Sequence, residues 1–540
     1  MRLFISLGMV AFIVASTLNY LPKKNENYII KVSNNLSQGE LIDKYRIKIL
    51  DTLHKETRVY LVESSREMKS DKNILWVSKN KKLQGTALKG DPDFSRVWGY
   101  KNTGAPLERS ETKGIPGLDI DLERAWETTE GSSDVIVAIL DSGVDFSNHD
   151  LIKNRWQNDA EIYGVTGEDD DGNGLDDDYY GWDFENDDND PQDDNLHGSH
   201  IAGIIGAQAD NQLGIAGINK HVKMMHVKWL DASLFGDTSK AVKAMHYAID
   251  KGAKIISCSW GDEDEDDEDY QAPQALIDVV ERARKEKILI VAAAGNNGYN
   301  LSHGPVYPAS LSNSFENVIS VGAVDNRGEL WSAHGFGSNF GKESVDIAAP
   351  GEDIVSYVLD SKVKPLSGTS MATPFVAGVA ALVLAANPDF SASDLKQRLV
   401  ESAVTTPYLR EKFKSGGMLN AYYAVTGKIP PTDPNDPYNF EHVAYQLEAN
   451  SRDEDLNDKE YIIKAASNVK QFVIHFKAIR AVSGNKIEIY DEADNLVQTM
   501  SASKTNFYSK MIYGNTVKIK VIQPLSNWNV MFKVDSLAIK

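Results

Sequence analysis

The sequence predicts an α/β unit with a parallel sheet in the middle of the chain and an all-β domain after it. Residues 135–140 and 288–291 are wholly apolar runs that lead into Gly-containing polar loops, as buried parallel strands do. From about residue 438 onward, short runs alternate apolar and polar residues between Asn, Gly and Asp turns, which is typical of a β-sandwich. The length of 540 residues indicates several folding units rather than one core.

Charge is divided unevenly along the chain. The formal net charge is −21, yet the first 90 residues contain 16 Lys/Arg and 8 Asp/Glu, and the remainder contains 41 and 70. This acidic main body argues against a nucleic-acid-binding protein, whose affinity depends on concentrated Lys and Arg. The single cysteine, Cys258, excludes an intramolecular disulfide, a cysteine-rich zinc site and an iron–sulfur centre.

The N-terminal segment has the pattern of a secretory signal. Residues 3–18 form an apolar run after Arg2, and a membrane span needs about 20 residues. Small residues at 14–16 suit a cleavage site. We therefore interpret residues 1–18 as a signal peptide, with an uncleaved membrane anchor as the alternative.

Two flanking modules surround the central unit. Residues 28–83 mix strand-like runs with a helical segment and predict a small α/β unit that ends in a lysine-rich, cleavable stretch. Four prolines make residues 428–437 a stiff linker. Residues 438–540 are the predicted β-sandwich, with alternating runs at 471–476, 486–490, 517–521 and 530–534.

Four motifs contain the residue types that acyl transfer requires. Asp141 and Asn296 each follow an apolar strand run, whereas His197 and Ser370 each stand at the start of an apolar, Gly/Ala-rich helix. Serine becomes a good nucleophile when a histidine removes its proton, a carboxylate fixes that histidine, and the oxyanion needs preorganised donors. Alone, each motif has an ordinary interpretation as a turn, a helix cap or, for the His-Gly-Ser-His motif, a metal-binding pair. Together, and each beside its own strand or helix, they favour catalysis.

These motifs resemble the signature segments of the subtilisin-like serine proteases, the subtilases. The resemblance extends over residues 91–427 and rests on Asp141-Ser142-Gly143, His197-Gly198-Ser199-His200, Asn296 and Gly368-Thr369-Ser370-Met371-Ala372-Thr373-Pro374. It implies a subtilisin-like αβα sandwich with a parallel sheet, and hydrolysis of peptide bonds through an acyl-enzyme.

The resemblance assigns the catalytic roles. Ser370 would be the nucleophile, and His197 the general base and then the acid. Asp141 would orient His197, while Asn296 would donate to the oxyanion together with the Ser370 backbone N–H. The second histidine of the motif is expected to pack structurally. Ser199 stands where the family usually has threonine, so we expect looser packing near His197.

The resemblance also implies the walls of a substrate cleft. Two edge segments would hold an extended peptide by β-augmentation, and a third would line the pocket for the side chain before the scissile bond. One edge would contain Ser259, Trp260 and Gly261, and the other edge Ser233 and Gly236. The pocket would be lined by Ala293 and Gly295. These small pocket residues leave room for a medium to large apolar side chain. Eight consecutive carboxylates follow at 262–269, either as a solvated loop or as an attractor of basic substrates.

Acidic loops near the predicted catalytic histidine indicate calcium. Residues 168–194 contain 14 carboxylates, and Asp169, Asp171 and Asn173 resemble the start of an EF-hand loop, although Tyr180 stands where its glutamate belongs. Two other loops resemble subtilase calcium sites. The implied ligands are Asp183, Asp188, Asp190 and Gln192 in one, and Asp150 and Asn211 with the carbonyls of Ala209, Leu213 and Ile215 in the other. The alternative role of every one of these carboxylates is solubility.

The flanking modules complete the interpretation. Residues 28–83 resemble the ferredoxin-like inhibitory propeptide of subtilases, with maturation expected within residues 79–90, and residues 438–540 resemble CUB-like β-domains. We expect a secreted bacterial serine endopeptidase that depends on calcium, acts on proteins or peptides, and has no nucleic-acid partner and no membrane span after signal cleavage. Periplasmic or cell-surface retention stays open. The alternatives are a catalytically silent adhesin and a processing protease specific for basic sites.

Overall fold

The computed structural model describes most of the chain from residue 26 onward. The described ranges are 26–33, 36–80, 90–109, 113–261, 271–333, 335–431, 436–452, 456, 459–481, 485–501, 503–522 and 530–540. The chain forms two compact units, Met1–Ala87 and Leu88–Lys540. The predicted signal peptide, the acidic run at 262–269 and most of the predicted maturation segment lie outside the described residues.

In its described residues, 26–33 and 36–80, the first unit is a four-stranded antiparallel sheet with one helix. Its elements are β1 (Glu26–Val32), α1 (Gln38–Tyr45), β2 (Lys48–His54), β3 (Val59–Ser64) and β4 (Ile74–Lys79). Ser37 and Glu40 form a reciprocal capping box that starts α1. The strand order β2-β3-β1-β4 is that of a ferredoxin-like sheet, but residues 65–73, where that fold has its second helix, contain none.

The second unit is organised by a nine-stranded sheet with the order β16-β17-β13-β10-β9-β8-β5-β7-β6. Its strands are β5 (Gly131–Asp141), β6 (Gly181–Asp183), β7 (His221–Lys228), β8 (Ile255–Cys258), β9 (Leu289–Ala293), β10 (Val318–Val324), β13 (Ile347–Pro350), β16 (Val404–Thr405) and β17 (Gly417–Met418). Two hairpins lie outside this sheet: β11 (Ser332–Ala333) with β12 (Phe336–Gly337), and β14 (Ile354–Val358) with β15 (Lys362–Leu366).

All neighbouring pairs in the central sheet are parallel except the edge pair of β16 and β17. The expectation of a parallel sheet therefore holds for all but one strand. β16 runs the other way because a connection of turns between residues 406 and 416, without a crossover helix, returns the chain beside it.

Helices cover both faces of this sheet. They are α2 (Leu122–Trp126), α3 (His149–Ile152), α4 (Asp159–Ile162), α5 (His197–Gly206), α6 (Thr238–Asp250), α7 (Gln274–Lys285), α8 (Thr369–Ala386), α9 (Ala392–Glu401) and α10 (Ala421–Thr426). Val137 and Ile139 of β5 pack in the core with α5, α8 and α9, whereas Ala138 and Leu140 pack in the core with α6 and α7. This alternation gives the αβα layering that the resemblance implied. Helix α8 is long and apolar enough to cross a membrane, but it is mostly buried inside the protein.

The C-terminal region consists of two antiparallel sheets. One contains β18 (Glu441–Asn450), β20 (Gln471–Ala481), β23 (Lys504–Tyr508), β24 (Ile512–Tyr513) and β26 (Val530–Ile539), and the other β19 (Glu460–Lys464), β21 (Lys486–Asp491), β22 (Leu496–Met500) and β25 (Thr516–Ile522). Side chains of both sheets form one core, including Phe476 and Phe532 from the first and Ile489 and Ile519 from the second. The four alternating runs noted in the sequence all lie in strands, as a β-sandwich requires.

Candidate active site

The predicted catalytic residues meet at one edge of the central sheet. Asp141 ends β5, Asn296 follows β9 by three residues, and the helices α5 and α8 begin at or next to His197 and Ser370. Carboxyl ends of parallel strands share an edge, which is where α/β proteins bind ligands. A cleft of about 860 Å³ lies there, and His197, Asn296 and Ser370 all line it. The structure thus brings these three motifs together as the sequence predicted.

Asp141 holds His197 in one orientation. Its Oδ1 lies 2.7 Å from His197 Nδ1 and accepts the Ser142 N–H at 2.8 Å. Since the carboxylate accepts, Nδ1 carries the proton and Nε2 is left as the basic nitrogen. Burial alone would lower the pKa of His197, but the charge and hydrogen bond of Asp141 outweigh it and the net pKa is raised above 6.5. The pair therefore favours proton uptake by the imidazole.

Ser259 fixes Ser370 through two hydrogen bonds. Pro374 lies four residues after Ser370 in α8 and has no N–H to donate back to the Ser370 carbonyl. That carbonyl instead accepts from Ser259 Oγ at 3.0 Å, and Ser370 Oγ donates to the Ser259 carbonyl at 3.0 Å. As a nucleophile, Ser370 Oγ would have to leave this bond to give its proton to His197. Ser259, predicted as a substrate-binding residue, is thus placed to hold the predicted nucleophile.

The Asn296 side chain is oriented by Thr369. Its Oδ1 accepts the Thr369 N–H at 2.9 Å and the Thr369 hydroxyl at 3.0 Å. Both bonds use the oxygen, so the amide nitrogen Nδ2 is the end available to the cleft. The preceding Gly295 has a φ of +99°, and a Cβ there would lie 2.5 Å from Asn339 Nδ2. Glycine is therefore required to place Asn296.

A buried aspartate that the sequence analysis did not single out joins the two catalytic loops. Asp193 Oδ1 accepts the Ser142 hydroxyl at 2.9 Å, and Oδ2 accepts the Ser199 N–H and hydroxyl at 2.9 and 2.6 Å. Ser199 Oγ in turn accepts the Asp145 N–H at 2.8 Å. Ser199 therefore keeps the hydrogen bonds of a hydroxyl at this position. Asp193 is one of many acidic residues in its segment, so only long-range contacts distinguish it.

A buried lysine supports the same region. Lys228 ends β7 and is 1% exposed. Its Nζ donates to the Ser142 carbonyl at 3.1 Å, the Leu230 carbonyl at 3.0 Å and Asp194 Oδ1 at 2.7 Å. These contacts place a positive charge behind the loop that follows Asp141. The strand also contains His221, Lys223 and His226, so the local sequence does not mark Lys228 as buried.

His200 packs against backbone rather than a metal. Its Nε2 lies 2.9 Å from the Ile354 carbonyl and 3.2 Å from the Lys364 carbonyl. Burial lowers the pKa of His200 to about 3, so the ring is neutral and Nε2 is the donor. The same type of burial applies to Cys258, where it raises the pKa of the thiol far above its ordinary value.

One of the two predicted cleft edges, residues 233–236, is a turn. Asp231 Oδ1 accepts the backbone N–H groups of Ser233 and Phe235 at 2.7 and 2.9 Å, and Leu234 has a φ of +64°. Leu234 lines the cleft. Ser233 and Gly236 are exposed beside it. β-Augmentation along this edge stays a prediction.

The other predicted edge, residues 259–261, and the pocket residue Ala293 pack closely against neighbouring segments. Trp260 packs edge-on against Trp229, with ring centroids 4.7 Å apart, and a Cβ on Gly261 would lie 2.4 Å from Val306. Ala293 is 3% exposed at the end of β9. A glycine at 261 thus lets this edge lie close to the neighbouring segment.

One predicted calcium loop buries two carboxylates beside each other. Asp150 is 1% exposed; Tyr357 donates to its Oδ2 at 2.5 Å, and the Asn211 amide donates to its Oδ1. Asp91, which the sequence analysis missed, is 6% exposed and accepts the N–H groups of residues 210–212. Burial, together with repulsion from Asp91, raises the pKa of Asp150 to about 6 despite the two donors. The predicted carbonyl donors Ala209, Leu213 and Ile215 lie on the same loop.

The other predicted loop, residues 183–192, is closed by its own hydrogen bonds. The backbones of Asp183 and Asp188 exchange hydrogen bonds at 2.9 and 3.1 Å, and Asp188 Oδ1 accepts the Asp190 N–H at 3.0 Å. The Gln192 side chain accepts the Phe146 N–H at 3.1 Å. Burial raises the pKa of Asp183.

The EF-hand-like segment forms an ion pair. Oxygens of Glu161, Asp171 and Asp178 lie within 4.8 Å of one another, and Lys251 Nζ pairs with Asp171 and, at 3.1 Å, with Asp178. Asp169 accepts three N–H groups of its own loop. An ammonium group thus already neutralises part of this cluster.

Comparisons with known proteins identify the family. The model of the subtilase family, peptidase S8, matches residues 132–425. A thermophilic serine proteinase of Bacillus sp. (strain AK1) is 35% identical over 302 residues, which cover 56% of this chain and 64% of that protein. A cell wall-associated protease of Bacillus subtilis (strain 168) is 33% identical over 319 residues, 59% of this chain and 30% of that protein.

Among solved structures, a protease of Pseudoalteromonas arctica PAMC 21717 is 25% identical with a TM-score of 0.48, covering 62% of this chain and 98% of that one. The chain spans less than two thirds of the length of the two curated relatives. The family match covers more than half of the chain, including every residue of the Asp141, His197, Asn296 and Ser370 constellation, and the chain therefore belongs to the subtilase family.

Proposed function

We propose that the protein is a secreted serine endopeptidase that cleaves proteins through an acyl-enzyme on Ser370. The observation that carries the proposal is the 2.7 Å contact of Asp141 with His197 in the cleft that also contains Ser370 and Asn296. A catalytically silent adhesin has no need for this arrangement.

The geometry supports a two-step reaction. Ser370 Oγ attacks the peptide carbonyl carbon while its proton passes to His197 Nε2, and Asp141 stabilises the resulting imidazolium. The oxyanion accepts from Asn296 Nδ2 and the Ser370 N–H at the start of α8. His197 then gives the proton to the leaving amine, and the C–N bond breaks. A water molecule, deprotonated by the same histidine, hydrolyses the ester and restores Ser370.

The test compares the wild type with Ser370→Ala. We expect the wild type to hydrolyse casein and to form a covalent adduct with a fluorophosphonate probe, located on Ser370 by mass spectrometry. The variant should do neither while keeping the same circular dichroism spectrum. Equal hydrolysis by both proteins, or labelling at another residue, would contradict the proposal.

We also propose a calcium ion at the loop of Asp150 and Asn211. The donor set fits a hard cation, because it combines two buried carboxylates with the carbonyl oxygens of the loop, and no described cation pairs with Asp150 or Asp91. The Asn211 amide now donates its N–H to Asp150 and would have to turn over to offer its oxygen. A bound ion would supply positive charge that stabilises the folded loop. Residues 183–192 are a second candidate, whose side-chain oxygens already accept backbone N–H groups.

Secretion and maturation complete the proposal. The apolar run at 3–18 supports export, and the basic charge of residues 1–90 supports an inhibitory propeptide that binds an acidic catalytic domain. We expect wild-type protein to shorten itself within residues 79–90, whereas Ser370→Ala should keep its N-terminal region. N-terminal sequencing of both proteins tests this.

A further inference from the structure

The cleft contains a carboxylate that the proposed reaction does not use. Glu352 follows β13 and lines the cleft together with His197, Ser370, Trp331 and Phe336. It also lines an adjoining cavity of about 540 Å³, which Trp331 and Phe336 share. Glu352 therefore stands where the catalytic cleft continues beyond the nucleophile.

The charges around Glu352 leave it without a partner. Two guanidinium groups lie nearby, but Arg109 pairs with Asp353 at 2.6 Å and Arg327 pairs with Asp325 at 2.6 Å. Glu329 also lines the adjoining cavity and pairs with Lys504, so each of these three cations is already engaged by another carboxylate. Lys412 lines that cavity as well, with its Nζ 4.4 Å from the centre of the Phe340 ring. Within the described ranges, no hydrogen bond or ion pair reaches the Glu352 carboxylate.

The aromatic residues beside Glu352 suit a long cationic side chain. Phe336 is 63% exposed and Trp331 7% exposed, and both line the cleft and the adjoining cavity. A lysine or arginine can lay its methylene stem on such rings while its charge reaches a carboxylate.

The position indicates which part of a substrate meets this wall. His197, which would protonate the leaving amine, lines the cleft together with Glu352, Trp331 and Phe336. Of the segments expected to hold the acyl side of a peptide, residues 259–261 and 293–295 do not line this cleft, and only Leu234 of residues 233–236 does. The wall is therefore assigned to residues that follow the scissile bond.

We propose that Glu352, with Trp331 and Phe336, forms a subsite that selects lysine or arginine on the leaving-group side of the scissile bond. This inference rests on the proposed endopeptidase function and specifies its substrate class. Burial and repulsion from Asp325 and Asp353 raise the pKa of Glu352 to about 7, although Arg327 and Arg109 oppose this. The carboxylate is therefore charged above neutral pH and neutral below it, so the selectivity should grow as the pH rises from 6 to 8.

The experiment uses internally quenched peptides that differ at one position after the scissile bond. Lysine, norleucine or glutamate is placed in turn at each of the first three positions, and kcat/KM is measured for the full-length, matured enzyme. We expect lysine to exceed norleucine roughly tenfold at one position at pH 8, the scale of a charge-assisted hydrogen bond. At pH 6 this ratio should approach one. Because both peptides are compared at the same pH, titration of His197 in the same cleft cancels.

Three variants sharpen the test. Glu352→Gln should bring the lysine-to-norleucine ratio close to one at both pH values, and Glu352→Lys should favour glutamate instead. Glu343→Gln removes an exposed glutamate that lines neither cavity and should keep the wild-type ratio. If Glu352→Gln does not fold, the wild-type enzyme tests the subsite by itself. A lysine-to-norleucine ratio that stays the same at pH 6 and pH 8 would then overturn the proposal.

The outcomes separate the two proposals. Hydrolysis of the peptides with equal ratios, or a lysine preference that survives Glu352→Gln, overturns the subsite but not the endopeptidase. A surviving preference that high salt abolishes would assign it to the field of residues 262–269 instead. Failure to cleave any peptide overturns both proposals.

Discussion

Asp141 and Asp150 are nine residues apart, are each 1% exposed, and solve the burial of a carboxylate in opposite ways. Asp141 meets an imidazole and a backbone N–H from its own chain. Asp150 meets only the neutral donors of Tyr357 and Asn211, with the Asp91 carboxylate nearby. The fold gives the first carboxylate a partner that can become a cation, His197, although Asp141 Oδ2 accepts no hydrogen bond among the described residues. The second carboxylate has neutral donors alone and requires a cation from outside or a proton to compensate its charge.

This difference in partners suits Asp141 to orienting His197 and Asp150 to binding a cation. A compensated carboxylate can orient a catalytic group without any ligand, because its hydrogen bonds exist in the folded chain. An uncompensated one makes stability depend on the solution, so the Asp150 loop should respond to calcium and pH while the Asp141 pair should not require calcium.

The largest expected effect is on turnover and comes from removing the charge of Asp141. Asp141→Asn keeps the size of the side chain but no longer stabilises the imidazolium and permits the wrong tautomer of His197. Turnover should fall about 10⁴-fold, the order known for this carboxylate in serine-protease triads, including subtilisin itself. Steady-state kinetics on a chromogenic peptide measure it.

The matching control is thermal unfolding in calcium, where Asp141→Asn should respond to the ion as the wild type does. A loss of only a few fold would show that His197 is oriented by something other than Asp141.

The sequence singled out the candidate catalytic side chains but not their supports. Asp141, His197, Asn296 and Ser370 stand in short motifs, each next to its own strand or helix, so local pattern was sufficient to propose them. Their partners come from distant segments, and nothing in the local sequence distinguishes Asp193 from its acidic neighbours.

The fold shows the same limit. The wholly apolar run at 135–140 predicted a buried parallel strand, and it lies in β5, whereas the reversed edge strand β16 depends on a connection made of turns. Asp91 belongs with the Asp150 loop only because the folded chain brings residues 91 and 210–212 together. Contacts between such distant segments leave no periodic pattern or motif in the sequence from which they could be predicted.

The second prediction concerns calcium at the uncompensated site. In the Ser370→Ala background, which prevents self-digestion, chelation should lower the midpoint of thermal unfolding by about 5 °C. This follows because a ligand at a hundredfold excess over its Kd stabilises the folded state by about 2.7 kcal/mol. Scanning calorimetry with calcium or a chelator measures the change.

Asp150→Asn in the same background isolates this loop. We expect the variant to lose most of the calcium response, whereas Asp389→Asn, an exposed aspartate after α8, should keep it. An unchanged response in Asp150→Asn would place the effective ion elsewhere, with residues 183–192 as the next loop to test.

The smallest expected effect is the pH dependence of stability without calcium. The pKa of Asp150 in the folded protein, about 6, lies above the ordinary aspartate value. The folded state therefore holds this proton more tightly than the unfolded state, and the free energy of unfolding should fall as the pH rises from about 4 to about 6. Comparing Ser370→Ala with its Asp150→Asn derivative in chelator cancels His197 and Glu352, which titrate in both. In saturating calcium the fall with pH should vanish from the Ser370→Ala protein, because an ion replaces the proton at Asp150, and a fall that persisted would mean that Asp150 does not bind it.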